Sequence, residues 1–122
     1  MRVACPYCHA AAELVSGNVI YPSRPDLVHR QFWRCARCDA WVGCHPGTAD
    51  PLGRLANAPL RKARQRVHAL LDPMWKSGAM KRTAAYQWLA RKLAMAEQNC
   101  HVGMFDLDTC KAACEILSTR YG

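Results

Sequence analysis

Two pairs of cysteines have the residue type and the spacing of metal ligands. The pairs are Cys5–Cys8, in the stretch CPYC, and Cys35–Cys38, in the stretch CARC. Two residues between thiolates let a tight turn present both sulfurs to one ion at about 2.3 Å, and two such turns complete a tetrahedron. Four thiolates favour one Zn²⁺, with iron as the rival metal and a disulfide or redox pair as the alternative chemistry. Because all four ligands are cysteine, no position remains for a catalytic water, and we expect the zinc to be structural.

A further cysteine directly precedes a histidine, in the order Cys44-His45. This order suggests a nucleophile beside a base, but adjacent residues of an extended chain point to opposite sides. We therefore expect Cys44 to be a small buried side chain. We expect His45, which precedes a proline and a glycine, to order the loop by donating a hydrogen bond.

Two cysteines near the end of the chain, Cys110 and Cys114, are four residues apart on a predicted helix and so share one face. With Cys100 or His101 they would have the ligands for a second metal site. The simpler prediction is that both pack inward, since cysteine behaves as a small hydrophobic residue in protein cores.

The composition indicates a folded chain without an export or membrane signal. Of the 122 residues, 51% are hydrophobic and only 21% are charged, which excludes a disordered tail. No apolar run approaches the roughly 20 residues of a membrane helix, and the first residues lack the apolar segment of a signal peptide. We therefore expect a cytoplasmic protein, where cysteines are more often metal ligands or free thiols than disulfides.

The period of the hydrophobic pattern changes along the chain, and the change predicts an α+β fold in two parts. We expect a small β zinc ribbon over residues 1–50, followed over residues 51–122 by a basic helical module, a three-helix bundle packed on the ribbon. Residues 45–57 contain two prolines and two glycines, so we interpret them as an ordered loop at the boundary.

Short strands are predicted in the first part. Residues 13–15 and 18–21 flank Ser16-Gly17, a sequence that suits a hairpin turn. Residues 31–34 and 40–42 flank the second cysteine pair and alternate as strands do. Each cysteine pair is therefore expected at the tip of a hairpin, as in a zinc ribbon.

The second part begins with a predicted helix over residues 58–71. Its inward face is expected to carry five apolar side chains, Leu60, Ala63, Val67, Leu70 and Leu71. Asp72-Pro73 should interrupt it, because a residue before proline avoids helical geometry. One further turn is expected at residues 74–76, closed by Gly78.

Two more helices are predicted, over residues 82–96 and 107–119. The first should turn inward Ala85, Trp88, Leu89 and Leu93. The second should be capped by Asp106, and its inward stripe should consist of Leu107, Cys110, Ala113, Cys114 and Leu117.

The positive charge is concentrated in one segment. The net charge is +8, and residues 51–95 carry 10 Lys/Arg against 1 Asp/Glu, a local balance of +9. Such a surface binds phosphates by counterion release, and aromatic side chains on the ribbon, Tyr7, Trp33 and Trp41, would stack on unpaired bases. The residues predicted to contact a partner are Arg54, Arg61, Lys62, Arg64, Arg66, Lys81, Arg82, Arg91 and Lys92.

Two other classes of function stay open. A basic surface also suits an acidic protein partner, so an adaptor or inhibitor of a host complex is the alternative to nucleic acid. A nuclease using His45, His68 or His101 is the enzymatic alternative, but the central segment has only one carboxylate, Asp72, for a metal. We therefore expect a non-enzymatic protein, with DNA, RNA or an acidic host protein as its partner and no membrane contact.

Long blocks of the sequence, in order, carry a family resemblance. The blocks are CPYC, CARCDAWVGCHPGT, PLGRLANAPLRKAR, DPMWKSGAMKRTAAYQWLA and CHVGMFD. With them the chain resembles a family of zinc-finger-containing domains, DUF3268, found in bacteria and their phages. The resemblance implies zinc on the four paired cysteines and assigns no activity. Residues 1–50 are also similar to the zinc ribbons of bacterial type I topoisomerases, which bind single-stranded DNA, although no helical half follows those ribbons.

Overall fold

The protein divides into two compact units in a computed structural model that describes residues 1–121. The first unit is Met1–Ala58, and the second begins at Pro59. A three-stranded antiparallel sheet in the first unit precedes four helices, which confirms the predicted α+β class. No helix in the described residues has the length and apolar character that a bilayer crossing requires.

The sheet of the first unit has the order β1-β2-β3. Strand β1 (Glu13–Ser16) pairs antiparallel with β2 (Gln31–Cys35), which pairs antiparallel with β3 (Ala40–Gly43). The turn between β2 and β3 contains Cys38, so the predicted hairpin around the second cysteine pair is confirmed. In the register of the sheet, Trp33 stands opposite Leu14 on one side and Val42 on the other.

The hairpin predicted at Ser16-Gly17 is wrong. Residues Gly17–Ile20 form a one-turn helix, α1, and β1 finds its partner in β2 instead. Gly17 lies where two backbone segments approach closely, and its N–H donates to the carbonyl of Arg30 at 2.8 Å. A Cβ on Gly17 would lie 1.8 Å from the carbonyl oxygen of Leu27, so no other residue fits at this position.

The core of the first unit is small. It consists of Cys5, Trp33, Cys35, Ala40, Cys44 and Leu55. The indole N–H of Trp33 donates to the carbonyl of Ala49 at 2.7 Å, so the loop after β3 closes one side of this core. The same loop is held to β3 by isolated bridges, Trp41 with Ala56 and Cys44 with Pro51.

The second unit begins with α2 (Ala58–Leu71), as predicted, and its buried side chains Leu60, Val67 and Leu71 belong to the predicted face. The helix is interrupted before α3 (Pro73–Lys76). Asp72 nevertheless has helical dihedral angles, φ −61° and ψ −35°, contrary to the expectation for a residue before proline. The interruption follows instead from Pro73, which has no N–H to donate to the preceding turn.

Helix α4 (Arg82–Lys92) is shorter than predicted. Ala94 adopts a left-handed conformation, φ 55°, and the N–H of Met95 donates to the carbonyl of Ala90 at 3.0 Å. These are features of a Schellman termination. The glycine that usually marks such a termination is missing at this position, so the end of the helix could not be predicted from local residue types. The buried residues of α4 are Ala85, Leu89 and Ala90, while Trp88 and Leu93 are half-buried.

Helix α5 (Leu107–Tyr121) begins where the predicted cap places it, since the Thr109 N–H donates to Oδ1 of Asp106 at 2.8 Å. Leu107 is 37% exposed, so its predicted inward position is wrong. The second unit buries an apolar core from all four helices and the intervening segments. The core residues are Leu60, Val67, Leu71, Met74, Ala85, Leu89, Ala90, Cys100, Val102, Phe105, Cys110, Ala113 and Leu117.

Candidate metal centre

The first cysteine pair lies in a tight turn near the start of the chain. An antiparallel bridge between Ala4 and Ala11 brings the two ends of the turn together. The Cys5 N–H donates to the carbonyl of Ala10, and the His9 N–H donates to the carbonyl of Cys5, each at 2.8 Å. Local backbone hydrogen bonds therefore fix the positions of both thiols.

The second cysteine pair lies in the turn between β2 and β3, where Cys35 pairs with Ala40. The two turns share a backbone feature. His9, with φ 66°, directly follows Cys8, and Asp39, with φ 51°, directly follows Cys38. A left-handed residue after each second cysteine turns the chain back, so both pairs present their sulfurs in the same way.

The four thiols converge on one point. The Sγ atoms of Cys5, Cys8, Cys35 and Cys38 all lie within 4.8 Å of one another. The Sγ atoms of Cys8 and Cys35 are 3.7 Å apart. A tetrahedron with Zn–S bonds of about 2.3 Å requires sulfurs separated by about 3.8 Å. The donor set and its spacing therefore fit one zinc ion.

The surroundings of the Cys8 and Cys38 thiols affect their pKa values in opposite directions. The Tyr7 N–H donates to Sγ of Cys5 at 3.4 Å. The Ala10 N–H lowers the pKa of the Cys8 thiol to about 7, whereas burial raises the pKa of the Cys38 thiol to about 12. Since zinc binds thiolates, its entry must displace the proton of Cys38, and metal affinity should fall as the pH falls.

The remaining cysteines stand apart from this centre. Within residues 1–121, the four-thiol group is the one cluster of three or more potential ligands close enough to hold a metal. Cys100 and Cys110 are buried in the core of the second unit, as packing side chains are, whereas His101 is exposed. The second metal site considered from the sequence is therefore not formed in the part of the chain described.

Cys44 is buried, at 1% exposure, which confirms its predicted packing position. Burial raises the pKa of the Cys44 thiol, which makes it a poor nucleophile at neutral pH. The hydrogen bonds that His45 makes run through its backbone: its N–H donates to Asp50, and its carbonyl accepts from Thr48. The loop is ordered at His45, as predicted, but by the backbone.

The basic residues singled out from the sequence differ in their surroundings. Arg64 is half-buried, and its Nε and Nη2 donate to the carbonyl of Phe105 at 3.1 and 2.9 Å, so it joins α2 to the segment before α5. Arg61 is also half-buried. The exposed members of the set are Arg54, Lys62, Arg66, Lys81, Arg82, Arg91 and Lys92.

The aromatic residues proposed for base stacking also differ in their burial and contacts. Trp33 is buried, at 7% exposure, so it cannot stack on a base, and that prediction is wrong. The Tyr7 hydroxyl accepts a hydrogen bond from the Asn57 N–H at 3.1 Å. Trp41 is half-buried, with its ring centroid 6.4 Å from that of Tyr21.

Sequence reasoning missed a set of cation–aromatic contacts in the second unit. Arg82 lies over the ring of Tyr86 with Cζ 4.6 Å from the centroid, and Lys92 lies over Trp88 at 5.9 Å. Both pairs are four residues apart on α4, a spacing that brings side chains together on a helix. That spacing was a signal available in the sequence.

A zinc ribbon with four cysteine ligands defines the class of this protein, a zinc finger whose metal serves the fold. The chain belongs to the zinc-finger-containing domain family, DUF3268, whose model matches residues 1–120. No curated protein and no solved structure matches the chain.

Proposed function

We propose that this zinc-binding protein is not an enzyme and binds nucleic acid through the basic surface of its second unit. One observation carries the proposal. Six exposed cations of this unit form no ion pair with a carboxylate anywhere in residues 1–121. We call them the basic surface: Lys62, Arg66, Lys81, Arg82, Arg91 and Lys92.

Unpaired cations concentrated on one compact unit repel each other, and polyanions relieve that repulsion while releasing their own counterions. The segment that supplies these residues has a balance of +9 over residues 51–95, with Asp72 as its one acidic residue. Asp72 Oδ1 lies 3.3 Å from Nδ1 of His68, so this carboxylate already has a partner. The zinc centre supports a role without catalysis, because four protein ligands leave no position for a substrate or water.

The proposal predicts the salt dependence of binding. If all six cations contact phosphates, the affinity for a single strand should fall with a log–log slope of about −4, since each contact contributes about −0.7. The test measures fluorescence anisotropy of a labelled, unstructured oligonucleotide at several salt concentrations. Replacing all six cations with glutamine should abolish most of the slope.

A matched control removes charge from the ribbon. Arg2 and Arg37 are exposed in the first unit and do not belong to the basic surface, so their replacement with glutamine should change the affinity by less than about threefold. Wild-type protein that fails to bind at low salt would refute the proposal, and the acidic surface of a host protein complex would then be the partner to seek.

A further inference from the structure

Three cations and two aromatic rings lie together where α3 is followed by α4. Lys76 Nζ lies 5.5 Å from the ring centroid of Trp75, and Cζ of Arg82 lies 5.7 Å from the same ring. Arg82 also lies 4.6 Å from the ring centroid of Tyr86, and the exposed Lys81 precedes it. We call these five residues the α3–α4 corner.

The position of these cations on α4 is electrostatically unfavourable. Lys81 occupies the N-cap position and Arg82 the first position of the helix, at the positive end of the helix dipole. The first turn contains no acidic residue, and no side chain caps it. The charges of the side chains and of the helix terminus therefore add, and nothing in the first turn compensates them.

Nearby carboxylates do not supply the compensation. Asp72 lies close to His68, and Oε1 of Glu97 accepts a hydrogen bond from Nε2 of Gln87 at 3.0 Å. Within residues 1–121, no carboxylate lies within ion-pair distance of Lys76, Lys81 or Arg82. These cations therefore form no ion pair within the described chain, although Asp72 lines the same groove as Lys76 and Glu97 the same recess as Arg82.

The opposite end of α4 provides an internal comparison. Arg91 and Lys92 lie in the last turn, where the negative end of the helix dipole favours cations. Lys92 and Arg120 both lie over the ring of Trp88, at 5.9 and 5.3 Å. Aromatic rings contact cations at both ends of α4, so the two ends differ in the helix dipole, which favours cations at the end and disfavours them at the beginning.

Open space and an unpaired donor accompany the cations of the α3–α4 corner. Lys76 lines a groove of about 590 Å³ along α2 and α3, while Arg82 and Tyr86 line a recess of about 160 Å³. The indole N–H of Trp75 is buried and has no hydrogen-bond acceptor in residues 1–121. A buried donor without an acceptor is rare in folded proteins.

We propose that the α3–α4 corner is a phosphate-binding site that anchors the nucleic-acid backbone, an inference that rests on the proposed function. The ring of Tyr86 supports the guanidinium of Arg82, and the N–H groups at its edge can donate to two phosphate oxygens. Lys76 and Lys81 supply two further charges. The free N–H groups at the start of α4 add donors that point towards an anion.

The first experiment compares two double variants by fluorescence anisotropy with a labelled single-stranded oligonucleotide. K81Q/R82Q removes two charges from the beginning of α4, and R91Q/K92Q removes two from its end. The first variant should lose at least tenfold in affinity at low salt. The second should lose less, about threefold to fivefold, because Arg91 and Lys92 contribute charge to the basic surface without belonging to the α3–α4 corner. Equal losses would refute a site at the α3–α4 corner while leaving the proposed function intact.

The second experiment tests phosphate binding directly, by NMR on the zinc-bound protein. Titration with inorganic pyrophosphate should shift the Trp75 indole signal, identified with Trp75→Phe, and the amide of Thr83. Shifts at this corner without oligonucleotide binding would support a site for small phosphate compounds and refute the proposed function. Absence of shifts with both pyrophosphate and oligonucleotide would overturn the inference.

A third variant separates geometry from charge. Arg82→Lys keeps the charge but lacks the planar fork that stacks on Tyr86 and binds two oxygens. It should retain the fold, seen in an unchanged amide spectrum, and lose about threefold to tenfold in affinity. An affinity equal to that of the wild type would show that Arg82 acts only as a charge. The proposal that its guanidinium binds two phosphate oxygens at the α3–α4 corner would then be wrong.

Discussion

The two units are of similar length but bury very different amounts of apolar side chain. The first, Met1–Ala58, has seven buried hydrophobic residues, of which three are Cys5, Cys35 and Cys44. The second, from Pro59 onward, has thirteen in its described residues. Two of the seven buried residues in the first unit are themselves metal ligands, so its core and its zinc centre are partly the same atoms.

This difference shows two ways of meeting the entropic cost of folding. A unit of about 60 residues with few buried side chains is marginal by itself, and a structural zinc contributes on the order of 10 kcal/mol. The second unit relies on helix packing. Removing the metal and damaging the helical core should therefore have separate effects, and the indoles report them, since Trp33 and Trp41 lie in the first unit and Trp75 and Trp88 in the second.

The largest effect is expected from loss of a zinc ligand. Cys38→Ser should abolish the stoichiometric zinc found by elemental analysis and unfold the ribbon, because the binding energy of the site is then lost. In NMR spectra the indole signals of Trp33 and Trp41 should collapse, while those of Trp75 and Trp88 persist. Cys44→Ala is the control, since Cys44 is buried in the same core but is not a ligand, and it should keep one zinc per chain. Full zinc content in the Cys38 variant would contradict the assigned ligand set.

The mirror experiment damages the core of the second unit. Leu89 is completely buried on α4, and Leu89→Ala should destabilise this unit by about 2–5 kcal/mol through the cavity that it leaves. Urea unfolding followed by helical circular dichroism measures the loss. Zinc content and the indole signals of Trp33 and Trp41 should not change; if zinc were released together with the helices, the two units would not be independent in stability.

A smaller effect is expected from the cysteines of α5. Replacing both Cys110 and Cys114 with alanine should cost about 1–2 kcal/mol in packing and leave one zinc per chain, because these thiols lie in or beside the helical core. The measurements are urea unfolding and metal analysis. A drop from two metal ions to one would identify a second site and end the contrast between a metal-dependent unit and a metal-free unit.

The smallest effect is expected from left-handed backbone positions. Ala94, with φ 55°, ends α4, and Ala94→Gly should stabilise the second unit by about 1 kcal/mol, since alanine is strained in this region. His9→Gly, at φ 66° beside the zinc centre, should gain less stability, because histidine tolerates this conformation better than alanine does. Gly78→Ala is the control. Gly78 has φ +84° and open space where a Cβ would lie, so this variant should lose about as much stability as Ala94→Gly gains. A loss of stability in Ala94→Gly would exclude strain at this position.

The zinc ligands, the β2–β3 hairpin and the start of α2 could be predicted because local chemistry determines them. Paired cysteines define their own turns, and a change from period two to helical spacing is visible in the sequence. The cap of α5 was predictable for the same reason, since an aspartate three residues before Thr109 is a local signal.

Several features that were not predicted depend on distant parts of the chain. Gly17 was assigned to a turn, but its role depends on Leu27, which comes close only after β1 has paired with β2. The surroundings of Arg64 also depend on a distant contact, since its guanidinium donates to a carbonyl 41 residues away. Trp33 was expected at the surface, because the alternation of its strand does not reveal which face is covered. Tertiary contacts determine all three, and short windows of sequence do not contain them.

The hydrogen bond between the Tyr7 hydroxyl and the Asn57 N–H joins residues 50 apart, so it sets an order of events during synthesis. At about 5–20 residues per second, the ribosome adds Cys35 roughly 1–5 s after Cys8. During that interval the nascent chain carries one cysteine pair, which is half of a zinc site. The ribbon can be completed only when Asn57 has left the exit tunnel, at the moment when α2 begins to emerge.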